Sequence, residues 1–154
     1  MSSEHAPLPA PGLAEVSFSA QGHTLQLLVD QGLREHCGLT AAFTGRTGGV
    51  SSAPYSSLNL GDHVGDDPAV VEANRQLLME AAGVPAPQRA LLVNPNQVHG
   101  ERVLELGADL ALGRAAAREG ADGIVCTQPG VPVLLCFADC VPVIAAAPRS
   151  EGVV

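Results

Sequence analysis

Asp139 and Cys140 stand side by side in an otherwise apolar run, residues 131–147, where the aspartate is the only charged side chain. A buried carboxylate is costly unless it is paired, hydrogen-bonded or close to a metal ion. A thiol beside it is a poor free nucleophile, because the neighbouring negative charge opposes the thiolate. A metal ion reverses that, since a coordinating thiol loses its proton outright. The pair therefore reads as a metal ligand, Cys140, with Asp139 orienting a ligand or handling a proton. The plain alternative is a buried strand that carries an inert core cysteine.

His99 is a second donor. Its stretch, Gln97-Val98-His99-Gly100, lies between strand-like runs at 90–93 and 102–106, and Asn94, Pro95, Asn96 and Gly100 turn the chain there. That puts His99 at a strand end or in a loop, where binding residues often sit, or leaves it simply solvated. Arg46 is set among glycines in Thr44-Gly45-Arg46-Thr47-Gly48-Gly49. Glycines permit close backbone approach and positive φ, so an arginine held there can grip phosphate or carboxylate with two parallel hydrogen bonds. A turn with a solvated arginine is the alternative, and the loop lacks the Gly-Lys-Ser/Thr ending of a P-loop. Asn59, between Leu58 and Leu60, points away from both if the segment is extended. It then binds a ligand or satisfies the loop backbone.

Three blocks, Gln97-Val98-His99-Gly100, Ala121-Asp122-Gly123 and Ala138-Asp139-Cys140-Val141-Pro142, resemble those of the polyphenol oxidase laccase-like (YfiH-type) family. Thr44-Gly45-Arg46-Thr47-Gly48-Gly49-Val50-Ser51, Ser57-Leu58-Asn59-Leu60-Gly61 and His63-Val64-Gly65-Asp66-Asp67 add to the likeness. The blocks follow the family's order over residues 42–148. The resemblance implies a mixed α/β fold in α/β/β/α layers. It also implies a bacterial purine nucleoside enzyme that phosphorolyses adenosine, inosine and guanosine and deaminates adenosine, so its partners are a purine nucleoside and phosphate. An older label for the family is copper-dependent polyphenol oxidase. Its metal is held by His, Cys and His. His99 and Cys140 match the first two, with Zn2+ expected and Cu2+ the alternative.

On this reading His99, Cys140 and Asp139 are catalytic, and Arg46, Asn59 and Gln97 bind substrate. The family's third metal ligand sits in a His-Ala-Gly-Trp-Arg-Gly block, and this sequence has no Trp. The expectation is therefore the N-terminal part of a longer protein: a tail at 1–12 and one incomplete domain at 13–154. Two other classes stay open, a metal-free hydrolase with a Cys140–His99 dyad and an inactive fragment.

Composition narrows the field. The net charge is −8, with eight arginines and no lysine, which argues against a general nucleic-acid binder. Pro132, Asp139 and Pro142 break the longest apolar run, so it makes no membrane helix. The four cysteines form no Cys-x-x-Cys pair, and residues 1–11 lack the basic and apolar regions of a signal peptide. Reduced thiols in a cytoplasmic protein are expected. Nothing in the sequence sets an oligomeric state.

The elements that must position these residues follow from pattern. Residues 16–18 and 24–29 predict strands around a turn at Gln21-Gly22, residues 30–38 a short helix or loop, and residues 41–43 a strand entering the Arg46 loop. Asp67-Pro68 predicts a helix start, with Val71, Asn74, Leu77, Leu78 and Ala81 at helical spacing and Gly83 beyond its end. Asp62, Asp66 and Asp67 suit capping better than a Ca2+ loop. Residues 109–120 predict a second helix, 124–126 a strand, and 131–147 a central buried strand at whose end His99 and Cys140 meet. Strands should dominate, in a sheet that mixes parallel and antiparallel pairs.

Overall fold

Alternating side chains in residues 13–30 build a long hairpin in the computed structural model, which describes residues 11–146. Strands β1 (Leu13–Ala20) and β2 (His23–Asp30) pair antiparallel from Leu13 opposite Asp30 to Ala20 opposite His23. Gln21 and Gly22 close the hairpin with φ of 53° and 82°, the two positive values a tight two-residue turn requires. The alternation turns Leu25, Leu27 and Val29 into the core. Helix α1 (Gln31–Cys37) follows at once. The Asp30 carboxylate caps it by accepting the Leu33 N–H at 3.1 Å, and Gly38 ends it in the left-handed region. Strand β3 (Ala42–Thr44) joins the free edge of β2, also antiparallel. Residues 1–10 of the expected tail lie outside the described residues, and Gly12 is tied to Asp30 and Gln31.

Helix α2 (Pro68–Ala81) starts where Asp67-Pro68 predicts. The Asp67 side chain accepts the Ala69 N–H at 2.8 Å. Its inner face lays Leu77 and Leu78 on Leu25, Leu27 and Val29, with Leu58 completing this first core. A single turn, α3 (Ala86–Arg89), comes next. Strand β4 (Val103–Leu106), helix α4 (Leu110–Glu119) and strand β5 (Gly123–Cys126) then form a parallel pair with its crossover helix. Leu106, Ala117 and Val93 form a second core. Among the described residues the fold is thus mixed α/β, with one antiparallel and one parallel sheet in place of the single sheet expected to mix the two. No described helix is long and apolar enough to cross a membrane.

Three expectations need correction. Helices hold more of the described residues than strands do, and there are four of them among those residues: the two expected, α1 where a short helix or loop was left open, and the single turn α3. Residues 90–93 form a turn after α3, with only Val93 paired. Most consequentially, residues 131–146 make no central strand; Ala147 lies outside the described residues. Only Val133 pairs, in one parallel bridge to Val93 closed by Val93 N–H to Pro132 O and Leu134 N–H to Val93 O, each 2.9 Å. A buried strand needs partners for its backbone groups. Past the bridge, side-chain amides take that place. Asn94 donates to Leu134 O at 2.9 Å, and Gln97 Oε1 accepts the Cys136 N–H at 2.7 Å. Beyond Cys136 the chain runs over the surface, with Val141 88% and Val143 86% exposed. Asp139 is therefore exposed, not semi-buried, and the expected meeting of His99 and Cys140 at a central sheet end loses its sheet.

Candidate functional site

His99 sits on the loop that leads into β4, exposed, with φ of 57°. A non-glycine residue in this left-handed region is uncommon and has to be held there. Asp122, in the turn from α4 into β5, does so. Its Oδ1 accepts the N–H groups of Val98 at 3.0 Å and His99 at 2.8 Å, and its Oδ2 accepts that of Gly100 at 2.8 Å. These bonds, the Gly100 one foremost, hold the Asp122 carboxyl below the usual carboxylate range. Sequence reading gave Asp122 no role of its own, since 22 residues separate it from Gly100. The available signal was an Asp-Gly turn leading into a strand, where an acidic side chain commonly accepts backbone N–H groups.

A polar chain runs beneath this loop. Half-buried Asn94 accepts from Arg75 at 2.6 Å, and Arg75 also donates to Leu60 O through Nε and Nη2 at 2.9 and 2.7 Å. Arg75 and Arg118 share the Asp62 carboxylate, the former at 3.5 Å. The Arg118 hydrogen bond, with help from Arg75, lowers the Asp62 pKa against the opposing effect of burial. Gln97 spends its carbonyl oxygen on Cys136, and burial pushes the Cys136 thiol up.

Arg46, Asn59 and Asp139 line one cleft of about 630 Å³, together with Tyr55, Ser56, Leu58, Val64, Phe137 and Ala138. Gln97, His99 and Cys140 are not among its lining residues. The Arg46 loop approaches β2 so closely that a Cβ on Gly48 would lie 2.0 Å from Thr24 O, and φ there is 93°. This is the close approach the glycines predict. Arg46 itself is exposed, and its carbonyl accepts the N–H groups of Ser57 and Leu58 at 3.1 and 3.0 Å. Asn74, fully buried on α2, accepts from Val50 N–H at 2.8 Å and donates to Ser51 Oγ and Asn59 O at 2.9 and 2.8 Å. Asn59 bonds within its own loop, donating to Asp66 at 3.0 Å and pairing with both backbone groups of Gly61 at 3.1 Å. The three aspartates thus part company: Asp62 pairs with arginine, Asp66 braces the loop, and Asp67 caps α2.

A second cleft of about 530 Å³ gathers Arg75, Arg89, Arg114 and Arg118 between α2, α3 and α4. Each guanidinium already has a protein acceptor: Asp62 for Arg75 and Arg118, Glu80 for Arg89, and Ala90 O for Arg114. These arginines join elements, and nothing in their bonding requires an added anion.

Cys140 is exposed, as is His99. An imidazole and a thiol are donors that zinc and copper both take, so the two residues fit such an ion by type. In number they fall short of the three or four protein ligands of a zinc site. Among the described residues there is no cluster of three or more His, Cys, Asp or Glu side chains placed to hold a metal.

Residues 40–154 match the family described as multi-copper polyphenol oxidoreductase laccase. A purine nucleoside phosphorylase of Mycobacterium tuberculosis is 47% identical over 107 residues, which cover 70% of this chain and 40% of that protein. YlmD of Geobacillus stearothermophilus, also named a purine nucleoside phosphorylase, is 40% identical over 121 residues, 76% of this chain and 43% of its own length. The crystal structure of YlmD matches with a TM-score of 0.61 at 32% identity, over 82% of this chain and 46% of that one. YfiH of Bacillus licheniformis matches with a TM-score of 0.61 at 30% identity, over 74% and 42%. The chain spans less than half the length of these relatives. The blocks around Arg46, Asn59, His99, Asp122 and Cys140 all fall inside the matched residues, and on that ground the chain belongs to the laccase-like, YfiH-type family.

Proposed function

We propose that this chain, read as a single domain over residues 13–154, is part of a metal-dependent purine nucleoside enzyme. It phosphorolyses adenosine, inosine and guanosine and deaminates adenosine. The observation that carries the reading is the cleft that brings Arg46, Asn59 and Asp139 together. The chain has only four aromatic residues, and two of them, Tyr55 and Phe137, line this cleft. A purine ring stacks on such faces, and a base–aromatic contact is worth about 1–3 kcal/mol. Arg46 grips phosphate through its planar fork, Asp139 handles a proton near the ribose, and Asn59 lines the cleft beside them, with Gln97 reaching the substrate from outside that lining. The relatives' name, purine nucleoside phosphorylase, supports the same substrate class.

His99 and Cys140 are the residues that would hold the metal, zinc in our reading and copper as the second choice. A bound zinc ion supplies a Lewis acid and a water whose pKa falls to about 7. The four cysteines, all unpaired, suit a cytoplasmic setting. One observation favours a second reading. The Cys140 thiol is unpaired and exposed, open to a substrate as a metal-free Cys–His hydrolase requires.

The test is chromatography of adenosine, inosine and guanosine incubated with the protein, with and without phosphate. The expected result is phosphate-dependent release of free base, with phosphate-independent conversion of adenosine to inosine. Arg46→Lys should raise the KM for phosphate about tenfold and spare deamination. No base release in any form of the protein, alongside ester hydrolysis that survives a chelator, would establish the hydrolase instead.

A further inference from the structure

Three consecutive N–H groups, those of Val98, His99 and Gly100, converge on one carboxylate, Asp122, at 2.8–3.0 Å. Successive N–H groups that point to one side form a small anion-binding concavity. It is filled here by a side chain of the protein itself. The residue at its centre, His99, is the one non-glycine besides the hairpin's Gln21 with positive φ among the described residues. The same turn is fixed from its other side. Asp122 N–H donates to Arg102 O at 2.9 Å, and Ala121 N–H donates to Asn96 O at 3.0 Å. The loop that carries His99 is thus latched to the start of β5 at its middle and at both flanks, while the imidazole projects from an exposed residue.

We infer that Asp122 is a positioning residue that presents the His99 imidazole for metal binding by clamping the backbone of residues 98–100. The inference rests on the reading of His99 as a metal donor. Most partners that orient a histidine ligand bond its ring; this one acts on the peptide units around it. The geometry demands a carboxylate. Two oxygens accept three N–H groups here, and an amide would offer a single oxygen and turn an NH2 toward the remaining N–H.

The experiment is competition for Zn2+ between a chelator of known affinity and the 154-residue chain, in four forms: wild type, Asp122→Asn, Asp122→Glu and His99→Ala. Asp122→Asn should bind zinc roughly 10–100-fold more weakly, the range seen when an orienting partner of a ligand is lost. The amides of Val98, His99 and Gly100 should lose hydrogen-exchange protection in the same variant, while β1–β3 keep theirs. Asp122→Glu keeps the charge but misplaces the oxygens, so its loss should be smaller yet measurable. A merely structural role predicts lowered stability with unchanged zinc affinity. Affinity within twofold of wild type in Asp122→Asn, with a clear loss in His99→Ala, overturns the role of Asp122 and leaves His99 a ligand. Wild-type affinity in Asp122→Glu beside a loss in Asp122→Asn overturns the clamp in favour of charge alone. Unchanged affinity in His99→Ala removes the ligand reading, and the role of Asp122 falls with it.

Discussion

Cys136 and Cys140 are four residues apart and meet different surroundings. Cys136 is half-buried, its N–H is held by Gln97, and burial raises its pKa. Cys140 is exposed on irregular chain. Only a thiolate attacks an alkylating reagent, and only if the reagent can reach it. In the metal-free protein Cys140 should therefore react with iodoacetamide well before Cys136, as peptide mass mapping over time will show. Equal rates, or Cys136 first, would contradict the placement of the two. Which candidate residues share a cleft was only partly legible. Arg46, Asn59 and Asp139, singled out by type together with the family likeness, line one cleft, whereas Gln97, His99 and Cys140 are not in its lining. What the sequence could not show was burial. The solitary charge of Asp139 in an apolar run reads as a buried carboxylate, but burial depends on which partner covers the run.

Helix α2 was readable from its cap and its period, yet its main service to the site is not an apolar contact. Asn74 sits among leucines on the buried face and bonds Val50, Ser51 and Asn59 across the loop that carries Arg46. Helical spacing marks the position as buried but is silent on partners 15 to 24 residues away. Asn74→Leu keeps the branched four-heavy-atom skeleton, though with bulkier methyl groups, and strands the Val50 N–H and the Asn59 carbonyl without partners. The expected cost is about 2–4 kcal/mol, seen as a lower denaturant midpoint with an unchanged slope. The loop at residues 46–60 should lose exchange protection first. A loss below about 0.5 kcal/mol would show that water or a shifted loop satisfies those groups.

The molecule divides its cohesion between two apolar cores and a charged seam. The hairpin core and the β4–β5 core are joined by Asp62 with Arg75 and Arg118, and by Asn94 between Arg75 and Leu134. The pairing of strands within each sheet was legible from local pattern; the seam was not, because its partners come from five separate segments. Arginine bonding lowers the folded pKa of Asp62 below its unfolded value of about 4. The stability it adds is fully present above that unfolded value and is lost as pH falls through the folded one. Arg118 is half exposed, so the contribution stays below about 1 kcal/mol. Melting curves across pH should show Asp62→Asn less stable than wild type at pH 7 and level with it near pH 2. A gap that persists or widens in acid would show that Asp62 acts through packing and not through its charge.

The claim on which the functional reading depends most is that His99 and Cys140 bind one metal ion. Zinc titration against a chelator, on the wild-type chain and on His99→Ala, Cys140→Ser and Cys136→Ser, tests it directly. The wild type should bind zinc weakly, because two protein ligands are fewer than zinc usually takes. Binding should be at least about tenfold weaker in the first two variants, since each removes one of the donors, and unchanged in Cys136→Ser. Equal zinc affinity in wild type and both donor variants, or a loss in Cys136→Ser as large as that in Cys140→Ser, would contradict it.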